Sequence, residues 1–145
     1  MSGRTCGSCT LCCTVFKIEE SGVEYKAAFE RCANLRAGCS TKACAIYTER
    51  PDQCASFRCL WLDGMGPAAM RPDRSGVVLV MADVETRTQI NAHARSPQRV
   101  TPKAMAYLRQ LTTDFVVILR AGPGARKMLG GPRRMVEDLL KVLGR

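Results

Sequence analysis

A chain of 145 residues suits one ordinary domain and can bury a hydrophobic core without cross-links. The formal charge of +9 suits an acidic partner or nucleic acid, but four thiolates around one divalent ion carry about −2, so two such sites would lower it to about +5. No stretch approaches the roughly eighteen apolar residues of a membrane span, and the polar segment after Met1 lacks the pattern of a secretory signal, so a cytoplasmic protein is expected.

All nine cysteines lie between Cys6 and Cys59, an odd count that disulfides alone cannot pair. A reducing compartment disfavours structural disulfides, so the cluster points to metal, cluster chemistry or redox work. The densest segment is Cys6-Gly-Ser-Cys9-Thr-Leu-Cys12-Cys13. A C-x2-C turn lets two thiolates reach one ion, and small intervening residues let the backbone fold tightly around it. Adjacent Cys12 and Cys13 point to opposite faces if extended and diverge by about 100° if helical. That favours a pair of sites, or a larger cluster, over one simple four-cysteine site.

Further along, Pro51 pushes Arg50 out of the helical region and can start a short helix. Cys54 is expected on that turn and Cys59 just beyond it, with Ile46, Phe57 and Trp61 as an apolar shell around the thiols. Residues 64–76, rich in Gly, Pro and charge, read as a connecting loop. Val77 to Met81 is a β-branched run expected as a buried strand. Residues 83–86 suit a turn, and 88–92 a second strand. Thr101-Pro102 opens a helix, with Thr as N-cap and Pro at the first position, and Ala104, Leu108 and Leu111 recur at helical spacing. Phe115 to Leu119 is a third strand and Gly122-Pro123-Gly124 a break. Pro132 opens a last helix with Met135, Val136, Leu139, Leu140 and Leu143 as an apolar stripe.

These segments predict an α+β fold in a single domain over 1–145. An irregular cysteine-rich metal cage at 1–62 is expected to pack on a small antiparallel or mixed sheet with two helices, the α+β core at 77–145. The cage is expected to be plated onto that core through Phe57, Leu60 and Trp61.

The cysteine segment resembles the bacterial cysteine-cluster family named for its CxxCxxCC motif, the YkgJ-like zinc- or iron-chelating domain. The resemblance rests on CGSCTLCC at 6–13, on Cys32-Ala-Asn-Leu35, and on Cys44-x-Ile-Tyr-x-x-Arg-Pro-x-x-Cys54-x-x-Phe-x-Cys59-x-Trp61. It covers roughly the first sixty residues, and residues 64–145 match no motif. Carried over, it implies metal ligation by Cys6, Cys9, Cys12, Cys13, Cys32, Cys44, Cys54 and Cys59. Cys39 matches no family position and is either spare or a substitute for one of the eight.

Function follows from the thiols. The leading expectation is a non-enzymatic protein that chelates zinc, about two ions, in a structural or metal-handling role. The alternative is iron or an iron–sulfur cluster, acting in or with a modification enzyme. No nucleophile–base pair, GxGxxG loop or P-loop is present. His93, the single histidine, suits a hydrogen-bonded or surface role better than ligation. Arg126-Lys127 and Arg133-Arg134 read as a solvated face. With aromatic residues sparse and not interleaved with basic ones, a nucleic-acid partner is disfavoured. A protein partner is left open, and no membrane association is expected.

Overall fold

The computed structural model describes residues 4, 11–20, 25–33, 44, 49–82 and 87–142. In chain order its helices and strands are α1 (Cys12–Val15), α2 (Asp52–Ser56), α3 (Pro72–Ser75), β1 (Val78–Met81), β2 (Gln89–Ala94), α4 (Pro102–Leu111), β3 (Val116–Ala121), β4 (Lys127–Gly130) and α5 (Arg133–Val142). The fold is α+β. Among the described residues no helix is long and apolar enough to cross a membrane.

The four strands form one mixed sheet in the order β1-β2-β3-β4. β1 pairs antiparallel with β2, β2 parallel with β3, and β3 antiparallel with β4. The parallel pair follows from α4, which carries the chain back across the sheet between β2 and β3 as a parallel connection requires. Three strands and the two longer helices match the sequence expectation. Thr101 caps α4, its hydroxyl oxygen accepting the Ala104 N–H at 3.1 Å. The fourth strand was not expected. It is only four residues long, lies on the sheet edge beside a register shift at Val117/Ile118, and contains one glycine. The expected turn at 83–86 lies outside the described residues.

The core grows from one face of the sheet. Ile90, Ala92 and Ala94 alternate inward along β2, level with Val117, Leu119 and Ala121 of β3. Ala104 and Leu108 of α4 are fully buried in the same cluster. α5 behaves differently. Its stripe reaches only half-burial at Met135, Val136, Leu139 and Leu140, and Val142 is 83% exposed.

The cysteine-rich segment shares this core. Val15, Cys59, Trp61 and Leu62 are buried in the same cluster as β1, β2 and β3. Leu60 donates its backbone N–H to the Leu79 carbonyl at 2.9 Å. Leu79 stands opposite Ala92, and its carbonyl points away from β2, so residues around Leu60 cover the outer edge of β1. On the opposite face of β2, the Phe16 ring meets His93 edge-on at 4.7 Å and Phe57 packs 5.1 Å from Phe16.

Residues 64–76 are more than the connecting loop their composition suggests. Met70 and Ser75 are fully buried, and the Ser75 hydroxyl lies 3.3 Å from the Met70 carbonyl and 3.2 Å from the Val77 carbonyl. Gly and Pro here shape tight turns around buried side chains. Gly76 ends α3 at φ +81°, and a Cβ there would stand 1.9 Å from the Arg99 carbonyl oxygen. Gly76→Ala is therefore expected to destabilise the fold by about 2 kcal/mol or more, since backbone strain and a backbone clash add. Urea unfolding checks this, and an unchanged midpoint would contradict it.

Candidate metal centre

Local hydrogen bonds draw distant cysteines into one neighbourhood. α1 is a single turn, so Cys12 and Cys13 leave it in directions about 100° apart. The Cys13 carbonyl accepts the Cys32 N–H at 3.1 Å, which ties a second thiol-bearing residue to the first. An isolated antiparallel bridge pairs Ile18 with Lys26. The Lys26 ammonium then donates to three backbone carbonyls, those of Thr14 (3.2 Å), Phe16 (2.6 Å) and Ala27 (3.0 Å). Thr14 lies in the last turn of α1 and Phe16 caps it, so the cation meets the negative end of the turn.

α2 brings Cys54 to the same place. As the sequence predicts, the helix follows Pro51, and its first turn is closed by bonds from the Cys54 and Ala55 N–H groups to the Pro51 carbonyl. Its N-terminus is capped from another part of the chain: the Glu20 carboxylate accepts the N–H groups of Asp52 (3.3 Å) and Gln53 (2.9 Å). The Gln53 side chain bonds the Glu19 N–H (3.0 Å) and the Lys17 carbonyl (2.7 Å). Residues 17–20 are thus a docking edge for the helix that carries Cys54.

The charges report how near these groups are. Burial pushes the Cys54 thiol above its usual range, and the neighbouring Cys13, Cys32 and Cys44 add to that, with Arg50 opposing. Cys13 moves the other way, to about 7: a hydrogen bond from Cys12 favours its thiolate, burial opposes, and Lys26 and Arg50 assist. Lys26 is lowered by burial, while Cys32, Cys13, Glu30 and Cys54 hold it up. Cys13, Cys32, Cys44 and Cys54 thus lie within electrostatic reach of one another, with Lys26 and Arg50 acting on Cys13 and Cys54.

Of the eight cysteines expected as ligands, the structure gathers Cys13, Cys32, Cys44 and Cys54, with Cys12 hydrogen-bonded to Cys13. Cys59 is 7% exposed within the apolar cluster, and its sulfur accepts the Leu62 N–H at 3.4 Å. Cys6, Cys9, Cys39 and Ile46 lie outside the described residues. Among the described residues, no group of three or more His, Cys, Asp or Glu side chains stands in an arrangement that would hold a metal ion. Thiols are metal ligands by their chemistry, but the described side chains form no coordination shell.

Sequence reasoning passed over Lys26, Arg50 and Arg4. Arg50 was visible beside Pro51. Lys26 carries no local signal, because its burial depends on carbonyls ten to twelve residues away. Arg4 stacks on Trp61, 4.6 Å from the ring centroid, and donates to carbonyls of the loop that follows.

No family model matches the chain, and no curated protein or solved structure matches it. The likeness to the CxxCxxCC family thus rests on the sequence motifs quoted above alone.

His93 stands on the other face of the sheet and is held neutral. Burial, then the Arg120 cation beside it on β3, lowers it from 6.5 to about 4. Above pH 6.5 both folded and unfolded chains carry it neutral. As pH falls from 6.5 to 4, the unfolded chain takes up a proton that the folded chain refuses, so stability is lost, by at most about 3 kcal/mol. His93→Gln is expected to remove that part of the acid sensitivity in urea unfolding at pH 7 and pH 4.5. Equal losses in variant and parent would contradict it.

Proposed function

We propose that the chain is a zinc-binding protein that holds about two ions through its cysteine cluster, in a structural or metal-handling role. The observation that carries this reading is the gathering of Cys13, Cys32, Cys44 and Cys54, from four separate stretches of chain, beside Lys26 and Arg50. Closed four-thiolate sites suit zinc, which needs no open position when its role is structural.

The two cations make chemical sense of the site. A zinc ion with four thiolates carries a net charge of about −2. Burying that charge is costly unless it is balanced. Lys26 and Arg50 supply about the opposite charge, and Lys26 is fixed in place by its three carbonyl partners. In the metal-free chain Lys26 and Arg50 favour the thiolate of Cys13. Phe16 and Phe57, both partly buried, pack beside this region and limit the approach of water.

Metal uptake must displace the protons held by raised thiols such as Cys54, so zinc affinity should fall as pH is lowered. The test is elemental analysis of full-length protein purified both aerobically and anaerobically, read with its visible spectrum. The expected result is a colourless protein with about two zinc ions per chain, and Cys54→Ser losing about one of them with a strong loss of stability. A brown protein containing iron and sulfide would replace zinc by the iron–sulfur alternative. Nine thiols freely titratable in the native protein, with no metal retained, would defeat metal binding altogether.

A further inference from the structure

The sheet face opposite Ile90 and Ala92 of the core carries polar side chains at its centre. Gln89, Asn91 and His93 recur along β2 on that face, each half-buried. Arg120 of β3 is the register partner of His93, so the two residues stand side by side on strands about 4.8 Å apart and share that face. The surroundings are apolar. Val78 lies level with His93 on the β1 side, Ile118 lies level with Asn91 on the β3 side, and both are buried. The Phe16 ring meets the His93 ring edge-on at 4.7 Å, and Phe57 packs 5.1 Å from Phe16.

These polar groups have donors to spare. The Gln89 side chain donates to the Asn91 Oδ1 at 3.1 Å, which leaves the Asn91 amide N–H bonds directed elsewhere. Neither they, nor the His93 ring nitrogens, nor the Arg120 guanidinium find a hydrogen-bond partner. The Arg120 Nε is sealed from solvent and still has none. The ion pairs among the described residues also leave Arg120 out. The charge that acts on His93 is the Arg120 cation, with no carboxylate to offset it. A half-buried guanidinium with no acceptor has lost hydration without replacing it. Negative charge brought to it therefore gains more than at an exposed arginine.

We propose that Arg120, His93 and Asn91 form an oxyanion-binding site on this face, one that takes a carboxylate or a phosphate carried by a small molecule. Arg120 supplies the charge and a planar fork that matches either group. The His93 ring and the Asn91 amide supply N–H donors beside it. Phe16, edge-on to His93, gives the rest of the molecule an apolar flank. The site uses none of the cysteines, so it goes beyond the zinc reading and stands or falls independently of it.

His93 is the single histidine of the chain, so its ring resonances report on the site without ambiguity. The experiment titrates the full chain at pH 7 with sodium acetate and, separately, with inorganic phosphate, against sodium chloride at equal ionic strength, and follows the imidazole nitrogens by NMR. The expected result is a saturable displacement by at least one of the two oxyanions and none by chloride; the tighter binder names the group. Arg120→Gln is expected to weaken that binding at least about tenfold, with amide exchange in β3 reporting that the sheet is intact. If Arg120→Gln loses β3 protection, Arg120→Lys decides: it keeps the charge but not the fork, so weaker binding supports the site and parent-like affinity overturns it. Parent signals that follow ionic strength alone, without saturation by either oxyanion, overturn the proposal, as does full affinity in a folded Arg120→Gln. Metal content is measured before and after each titration, and a displacement that tracks metal loss overturns it as well.

Discussion

The structure depends on the way residues 59–62 close the outer edge of β1. The Leu60 N–H satisfies the Leu79 carbonyl, which faces away from β2. That single bond sets the register in which Cys59, Trp61 and Leu62 enter the core beside Val77, Leu79 and Ile90. A buried carbonyl on an edge strand needs a partner, and the cysteine-rich segment supplies it. The fold of the sheet and the placement of the cysteines are therefore one packing problem, with Trp61 shared between them. Its ring is buried in the core cluster and its surface carries Arg4.

A second constraint is electrostatic. Thiols brought together by chain folding repel once ionised, and burial makes the Cys54 thiol resist ionisation further. The chain meets this with cations held by backbone carbonyls. Lys26 is held by Thr14, Phe16 and Ala27, and Arg4 by Trp61, Met65 and Gly66. Carbonyl dipoles compensate the desolvation of each cation, and Lys26 in turn favours the Cys13 thiolate. Lys26 and Arg50 beside Cys13 are the main physical support for the proposed metal role.

Much of this was legible in the sequence, for reasons that are local. The β-branched run ending at Met81, the Thr101-Pro102 cap and the Pro51 start of α2 are each set by neighbours within a few residues, and each appears where expected. What escaped is decided at long range. The parallel pairing of β2 with β3 depends on how α4 crosses the sheet. β4 is too short to show a period. The burial of Met70 and Ser75 inverts a stretch whose Gly and Pro content suggests exposure. For the site, cysteine spacing flagged the thiols but not their company: Glu20 caps the helix that carries Cys54, and nothing in the sequence around Glu20 announces that contact.

The most direct test of the central claim is X-ray absorption at the zinc edge on the full chain after saturation with zinc and removal of unbound metal. A cluster that holds zinc through cysteine alone should show a shell of about four sulfurs at about 2.3 Å and no nitrogen. A shell of nitrogen and oxygen at about 2.0–2.2 Å, or zinc lost entirely on washing, would contradict it.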